Sequence, residues 1–259
     1  MSIAEKLTTI AEKQQAVYDA GYTAGQAVGG DTEAAYNNGI ADGQQAEYDR
    51  FWDNYQRKGQ PASYGYAFAG NGWTEQLFRP KYNIYATNMS YIFRSSYIRD
   101  LKGILEQSGL KIICSSGSVE YFAMGSALTR VPEMNVTLTV FTNAFNGCTS
   151  LVSVDKLQFS TSTSCSCSNA FRNCTALTEI RFNSGIRPTN LSFAQSALMS
   201  RDSFSSNNED GKGYGLIPAL SEDVSGSVTV SEAAVNAAFT EDEWQALTDT
   251  RLNWTISLS

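Results

Sequence analysis

Asn143-Ala144-Phe145-Asn146-Gly147-Cys148-Thr149-Ser150-Leu151 returns as Asn169-Ala170-Phe171-Arg172-Asn173-Cys174-Thr175-Ala176-Leu177, with six of nine positions identical and 26 residues between copies. Self-similarity at such a period marks stacked-repeat architectures, in which one unit cannot bury its apolar face alone. Fainter copies extend the pattern. A Phe, usually after Ala, with Cys, Ser or Gly two or three places on and Leu or Ile beyond, can be placed at Phe68, Phe93, Phe122, Phe145, Phe171 and Phe193. The steps are 25, 29, 23, 26 and 22 residues. Alternating strand-like pieces at 128–131, 151–154 and 177–182 fall between anchors. The spacing predicts one short strand per turn, stacked as a parallel sheet.

Outward toward the N-terminus, 1–58 reads as helix. Ser2 with Glu5 makes a capping box, which satisfies exposed amides of a first turn. Ile3, Leu7, Ile10, Gln14, Val17, Gly21, Ala24 and Val28 keep a 4-3 spacing, the seam of a coiled coil. Tyr18-x-x-Gly21-x-x-x-Gly25-Gln26 recurs 18 residues later as Tyr36-x-x-Gly39-x-x-x-Gly43-Gln44. Each glycine inside a helix costs about 1 kcal/mol against alanine, so Gly21, Gly25, Gly39 and Gly43 make sense where another backbone approaches. The expectation is an oligomerisation or docking segment, with a homotrimer one candidate because this seam does not fix strand number. A flexible Ala/Gly-rich linker is the other reading. Tyr48, Phe51, Trp52 and Tyr55 form an apolar stripe after it, and Gly59-Gln60-Pro61 marks the boundary.

Toward the C-terminus, residues 200–215 are polar and read as a loop. Val228-Thr229-Val230 reads as a strand, Ser231-Glu232 opens a helix, Thr240 with Glu243 makes a second capping box, and Trp254-Thr255-Ile256-Ser257-Leu258 is a final strand. A stacked array needs its last apolar face closed by an atypical unit. The expected domains are therefore 1–58 (helical), 59–200 (repeats) and 201–259 (polar loop and cap).

Composition narrows the chemistry. The 259 residues carry a net charge of −7 and 17% charged residues, which argues against broad nucleic-acid or anionic-membrane binding. No apolar run approaches a membrane span. The start lacks a basic head followed by an apolar run, so no signal peptide is expected. Five cysteines, an odd number, fit reduced thiols. There is no histidine, which removes Ser-His-Asp and Cys-His catalysis and most zinc sites. Cys165-Ser166-Cys167 lacks a second pair at zinc spacing. Ser153-Val154-Asp155-Lys156 matches S-x-x-K but lies in a strand, whereas acylating enzymes carry that motif at a helix start. No cofactor, metal or catalytic residue is expected, and the chain reads as a non-enzyme.

The repeated phrase resembles the BspA-like class of leucine-rich repeat, whose pattern runs roughly A-F-x-x-C-x-x-L-x-x-I. The match is strong over 143–182 and weaker out to 88 and 199. The resemblance implies an α/β fold: a short leucine-rich-repeat solenoid with a parallel β-sheet, preceded by the coiled-coil-like helical segment and closed by a C-terminal β-α-β cap. It also implies that Cys148 and Cys174 are small buried fillers, a place taken by Ser96, Ser126 and Ser196 in other copies.

The glycine-spaced helices, the Tyr48-to-Trp52 segment and the Trp-Thr-Ile ending are similar to parts of leucine-rich-repeat proteins encoded by phages and prophages of gut bacteria. This likeness implies a virion protein, tail- or fibre-associated, made in the host cytoplasm. Its expected partners are itself, other virion proteins and a host-surface protein or glycan. A bacterial surface adhesin with the same solenoid is the alternative. Candidate binding residues are the aromatics Tyr64, Tyr66, Trp73, Tyr82, Tyr85, Tyr91 and Tyr97, which supply contact area at low entropy cost. Ser153, Asp155, Glu179 and Arg181 are added as exposed positions of the sheet face.

Overall fold

The computed structural model describes residues 62–63, 68–70, 78, 80, 83–114, 118–136, 140–196 and 199–259. The helical seam and its glycines (Ile3, Leu7, Ile10, Val17, Gly21, Gly25, Gly39 and Gly43) lie outside the described residues, as do Tyr64, Tyr66, Trp73 and Tyr82.

The unit spanning 58–259 is mixed α/β. Its strands are β1 (Ala62–Ser63), β2 (Ile84–Asn88), β3 (Ile112–Cys114), β4 (Arg130–Val131), β5 (Met134–Val136), β6 (Ser153–Phe159), β7 (Cys165–Ser166), β8 (Glu179–Phe182), β9 (Pro188–Thr189), β10 (Leu191–Ser192), β11 (Gly226–Val230) and β12 (Trp254–Leu258). Helices are few and short: α1 (Leu101–Gln107), α2 (Arg201–Ser205), α3 (Leu216–Ala219), α4 (Glu232–Ala238) and α5 (Glu241–Thr248). The largest sheet runs β1-β2-β3-β5-β6-β4, and β8 pairs with β6. Every paired strand in it is parallel. Two small parallel sheets, β7-β9 and β10-β11-β12, complete the strands.

Copies of the phrase lie one upon the next. Phe68 N–H donates to the Ile92 carbonyl at 2.9 Å, Phe93 to Phe122 at 2.7 Å, and Ala123 to Ala144 at 2.7 Å. Phe145 donates to Ala170 at 2.8 Å, and Phe171 to Ser192 at 3.0 Å. This ladder corrects one anchor. The backbone equivalent of Phe145 is Ala123, with Phe122 one place earlier, so this copy reads Phe-Ala where its neighbours read Ile92-Phe93 and Ala144-Phe145. The Phe122 ring still enters the column, edge-on to Phe93 at 5.2 Å and to Phe145 at 5.5 Å. Phe145 stacks on Phe171 at 5.3 Å, and Phe171 on Phe193 at 4.9 Å and 3°. All five rings are fully buried.

Backbone conformation explains the flanking residues. Two positions before and two after the anchor have positive φ: Asn143 (54°) and Gly147 (74°) around Phe145, Asn169 (54°) and Asn173 (60°) around Phe171. Asn and Gly tolerate this left-handed region better than other residues. The earlier copies place Tyr91 (63°) and Tyr121 (55°) there, where a bulky side chain is uncommon.

The small residue of the phrase does more than fill space. Cys148 Sγ donates to the Ala123 carbonyl at 2.9 Å, Cys174 Sγ to the Phe145 carbonyl at 3.1 Å, and Ser196 Oγ to the Phe171 carbonyl at 2.8 Å. Each therefore ties its turn to the preceding anchor. All five cysteines are buried, and burial pushes Cys148 up to about 11. Cys174→Ser is expected to hold native stability to within about 1 kcal/mol because serine reproduces the donor, as Ser196 does. Thiol-reagent titration should find the five cysteines silent until denaturant unfolds the chain, since the thiolate is the reactive form.

The stretch 200–215 differs from the expected loop. Ser200 Oγ accepts from Ser203 N–H and starts α2, whose Phe204 is buried against Phe239 and Trp244. Serines at cap positions and one well-placed Phe override the polar average. The second capping box is present: Thr240 and Glu243 bond reciprocally at the start of α5. Arg201 reaches across from α2 to Glu243 at 2.9 Å and lies over the Phe239 ring at 4.5 Å. Arg201 and the Thr240 amide hold the Glu243 carboxyl down at about 2, below its ordinary 4.5. A folded value below the unfolded one stabilises the fold above about 4.5, and that contribution is lost as pH falls through about 2. Glu243→Gln should flatten this part of a pH series of denaturation midpoints. An unchanged slope would contradict the pairing.

Candidate functional site

A groove of about 630 Å³ opens where α1, β6, β8 and the loop after α2 meet. Its floor is β6 and β8. The 26-residue period puts Ser153 beside Glu179 and Val154 beside Ile180, but the next pair is Leu157 with Phe182. One extra residue therefore sits in β6, and Asp155 and Lys156 together face the single Arg181. A bulge of this kind bends the strand and re-aims side chains, and is enriched beside functional sites.

Three ion pairs brace the walls. Lys102 of α1 meets Asp155 at 2.8 Å, and that bond raises the Lys102 ammonium above its usual range. Lys156 meets Glu133 at 3.2 Å, and Lys212 meets Asp210 at 3.4 Å. The loop that carries Asp210 and Lys212 is anchored at both feet. Phe182 and Tyr214 exchange backbone bonds at 2.9 Å, and Asn208 Oδ1 accepts from Gly213 N–H at 2.6 Å. The Lys212 amide and ammonium hold the Asp210 carboxyl below its ordinary value, with Arg181 adding to the effect.

Arg181 is the exception. Its side chain is only 8% exposed. Nη2 reaches the exposed carboxylates of Asp202 and Asp210 at 3.5 and 3.9 Å, both long for ion pairs. Nε and Nη1 are buried without a hydrogen-bond partner among the described residues. Buried donors left unmet cost about 1–3 kcal/mol each, and more when charged. Among the described residues Glu179 forms no ion pair, and its carboxylate meets only the Ser203 hydroxyl, at 3.5 Å.

The groove thus gathers all four residues expected on the sheet face: Ser153, Asp155, Glu179 and Arg181. One of them is corrected, because Arg181 is buried where an exposed position was expected. The bulge and the loop 206–214 cover it, and neither is visible in strand alternation. The sequence reading missed Lys102, Lys156, Asp210 and Lys212. The signal that could have found Lys156 is the change of spacing between repeats from 26 to 25 after Val154. No hydrogen bond joins Lys156 to Ser153 among the described residues, so the S-x-x-K match carries no nucleophile–base pair here.

Of the expected aromatic patch, Tyr91 and Tyr97 do not line the groove. Tyr91 stacks on Tyr121 at 4.8 Å and 8°, with the Arg94 guanidinium 5.6 Å from the Tyr91 centroid. Tyr97 is 54% exposed. Tyr85 contributes backbone to β2, and the remaining members fall outside the described residues. Cys165 and Cys167 are buried, and no group of His, Cys, Asp or Glu among the described residues could hold a metal ion. No described helix is long and apolar enough to cross a membrane.

Compared with protein-family models, with curated proteins and with solved structures, the chain matches none of them.

Proposed function

We propose that this chain is a non-enzymatic virion protein of a phage, tail- or fibre-associated, that displays a BspA-like leucine-rich-repeat solenoid to a host-surface or virion partner. Residues 1–58 dock or oligomerise, 59–200 form the solenoid, and 201–259 close its end. The observation that supports this reading most is the register of the turns. The hydrogen-bonded ladder from Phe68 to Phe193 places the repeated phrase in the interior. What varies from turn to turn is left on the sheet face, where the charged groove lies. A rigid scaffold with a variable surface suits recognition better than turnover.

Mass spectrometry of purified particles from an induced lysogen carrying the gene tests the location. The chain is expected among the particle proteins at a fixed ratio to the tail components. Its absence from particles, with recovery in the cell envelope, would put a bacterial surface adhesin in its place. Light scattering on the full-length chain tests the docking segment, for which an oligomer is expected and a monomer would contradict self-association in solution.

A further inference from the structure

Arg181 is an unfavourable residue for stability alone. A buried guanidinium with two unpaired nitrogens and two loose carboxylate contacts is worse for the fold than a well-packed apolar side chain of similar size. Its geometry suits a ligand. Nε with Nη2 and Nη1 with Nη2 are the two forks on which arginine takes a carboxylate through paired hydrogen bonds. In each fork one nitrogen is unused and the other is held at 3.5 Å or more by an exposed Asp. Both aspartates are displaceable, with side chains 72% and 36% exposed. Arg181 and the loop residue Gly211 both line the groove, and a methyl group built on Gly211 would meet nothing within 4 Å.

Charge selects the anion. The groove lining carries five cationic and four acidic side chains, and Asp202 and Asp210 stand at its end. The lining alone is net +1 and the two aspartates bring it to −1, so a singly charged anion is held by displacing them, and a phosphate dianion is disfavoured. Glu179 lies two residues before Arg181 on β8, so both side chains project from the same face. Its carboxylate has no ion partner among the described residues and can accept from a ligand donor.

We infer that this end of the groove binds a small carboxylate ligand, its carboxylate on the Arg181 guanidinium and a neighbouring hydroxyl or ammonium on Glu179. The site deepens the binding role proposed above but stands on the groove alone. A chain missing from particles would remove the virion reading and leave this site standing. A groove that binds no carboxylate would do the reverse.

Calorimetric titration of the full-length chain at low salt tests it, with glucuronate as the hydroxyl-bearing source, glycyl-alanine as the ammonium-bearing source and glucose as the neutral counterpart. At least one carboxylate is expected to bind and glucose is not. Asp202→Asn combined with Asp210→Asn removes the competing carboxylates and should tighten binding several-fold. Arg181→Met should weaken binding at least about tenfold while the variant melts no lower than the native chain, an outcome a purely structural arginine would not give. Arg181→Lys keeps the charge, loses the fork and should also bind weakly. The inference is overturned by silence of both carboxylates, by glucose binding equally well, or by an affinity that the paired Asp variant leaves unchanged.

Discussion

Replacing Phe171 with alanine is expected to lower stability by about 3–5 kcal/mol. The ring is fully buried and stacks on two neighbours, Phe145 at 5.3 Å and Phe193 at 4.9 Å, with Phe141 tilted against it at 6.1 Å. Its removal leaves a cavity in the middle of the column, and the rings on either side are held by their own backbone ladders, so they cannot collapse into it. Domains of this size hold about 5–15 kcal/mol in total, so a large share of stability goes with one side chain. Phe171→Leu keeps most of the volume and should cost less than half as much. Denaturant unfolding of the three proteins reads the difference. A loss under about 1 kcal/mol for the alanine variant would mean that the column is not packed as described.

Gly213→Ala is expected to cost about 2–4 kcal/mol, combining backbone strain with overpacking. Gly213 has φ of +122°, a conformation that L side chains rarely adopt. An added Cβ would stand 2.9 Å from the Phe182 carbonyl oxygen, 3.1 Å from Lys156 Cδ and 3.2 Å from Arg181 Cβ. No flexible end can swing away from the carbonyl, so the loop must lift from β8. The same change uncovers Arg181, and its exposure to solvent should rise. Thermal melting measures the first effect. Protection of the Phe182 and Tyr214 amides, which close the bridge at the foot of the loop, measures the second. An unchanged melting temperature with unchanged protection would contradict the seating of the loop on the groove.

The parallel pairing was legible in the sequence because the phrase repeats almost unchanged at a fixed interval. That interval places Ser153 against Glu179 before any coordinate is known. Where the interval changes, legibility ends. The extra residue at Asp155-Lys156 is a departure from period two that reads as ordinary strand alternation. The Phe-Ala inversion at Phe122-Ala123 was hidden because both residues are apolar and the ring reaches the same column from a neighbouring position. The loop 206–214 looked like a spacer because its composition is that of a spacer. Its role comes from two backbone bonds between Phe182 and Tyr214, and no residue type encodes those. The thiols of Cys148 and Cys174 are buried, as the small residues that share their place in the phrase imply. Their hydrogen bonds across turns become visible only when the turns are stacked.

Arg181 is the point where the repeated interior meets the surface proposed to bind. Its Nε–H is buried and should give its own resonance in an arginine side-chain NMR spectrum, assigned by its loss in Arg181→Met. Addition of glucuronate is the direct measurement. This resonance is expected to move with saturation, and glucose is expected to leave it in place. A resonance that glucuronate and glycyl-alanine both leave unmoved would contradict a ligand site at Arg181.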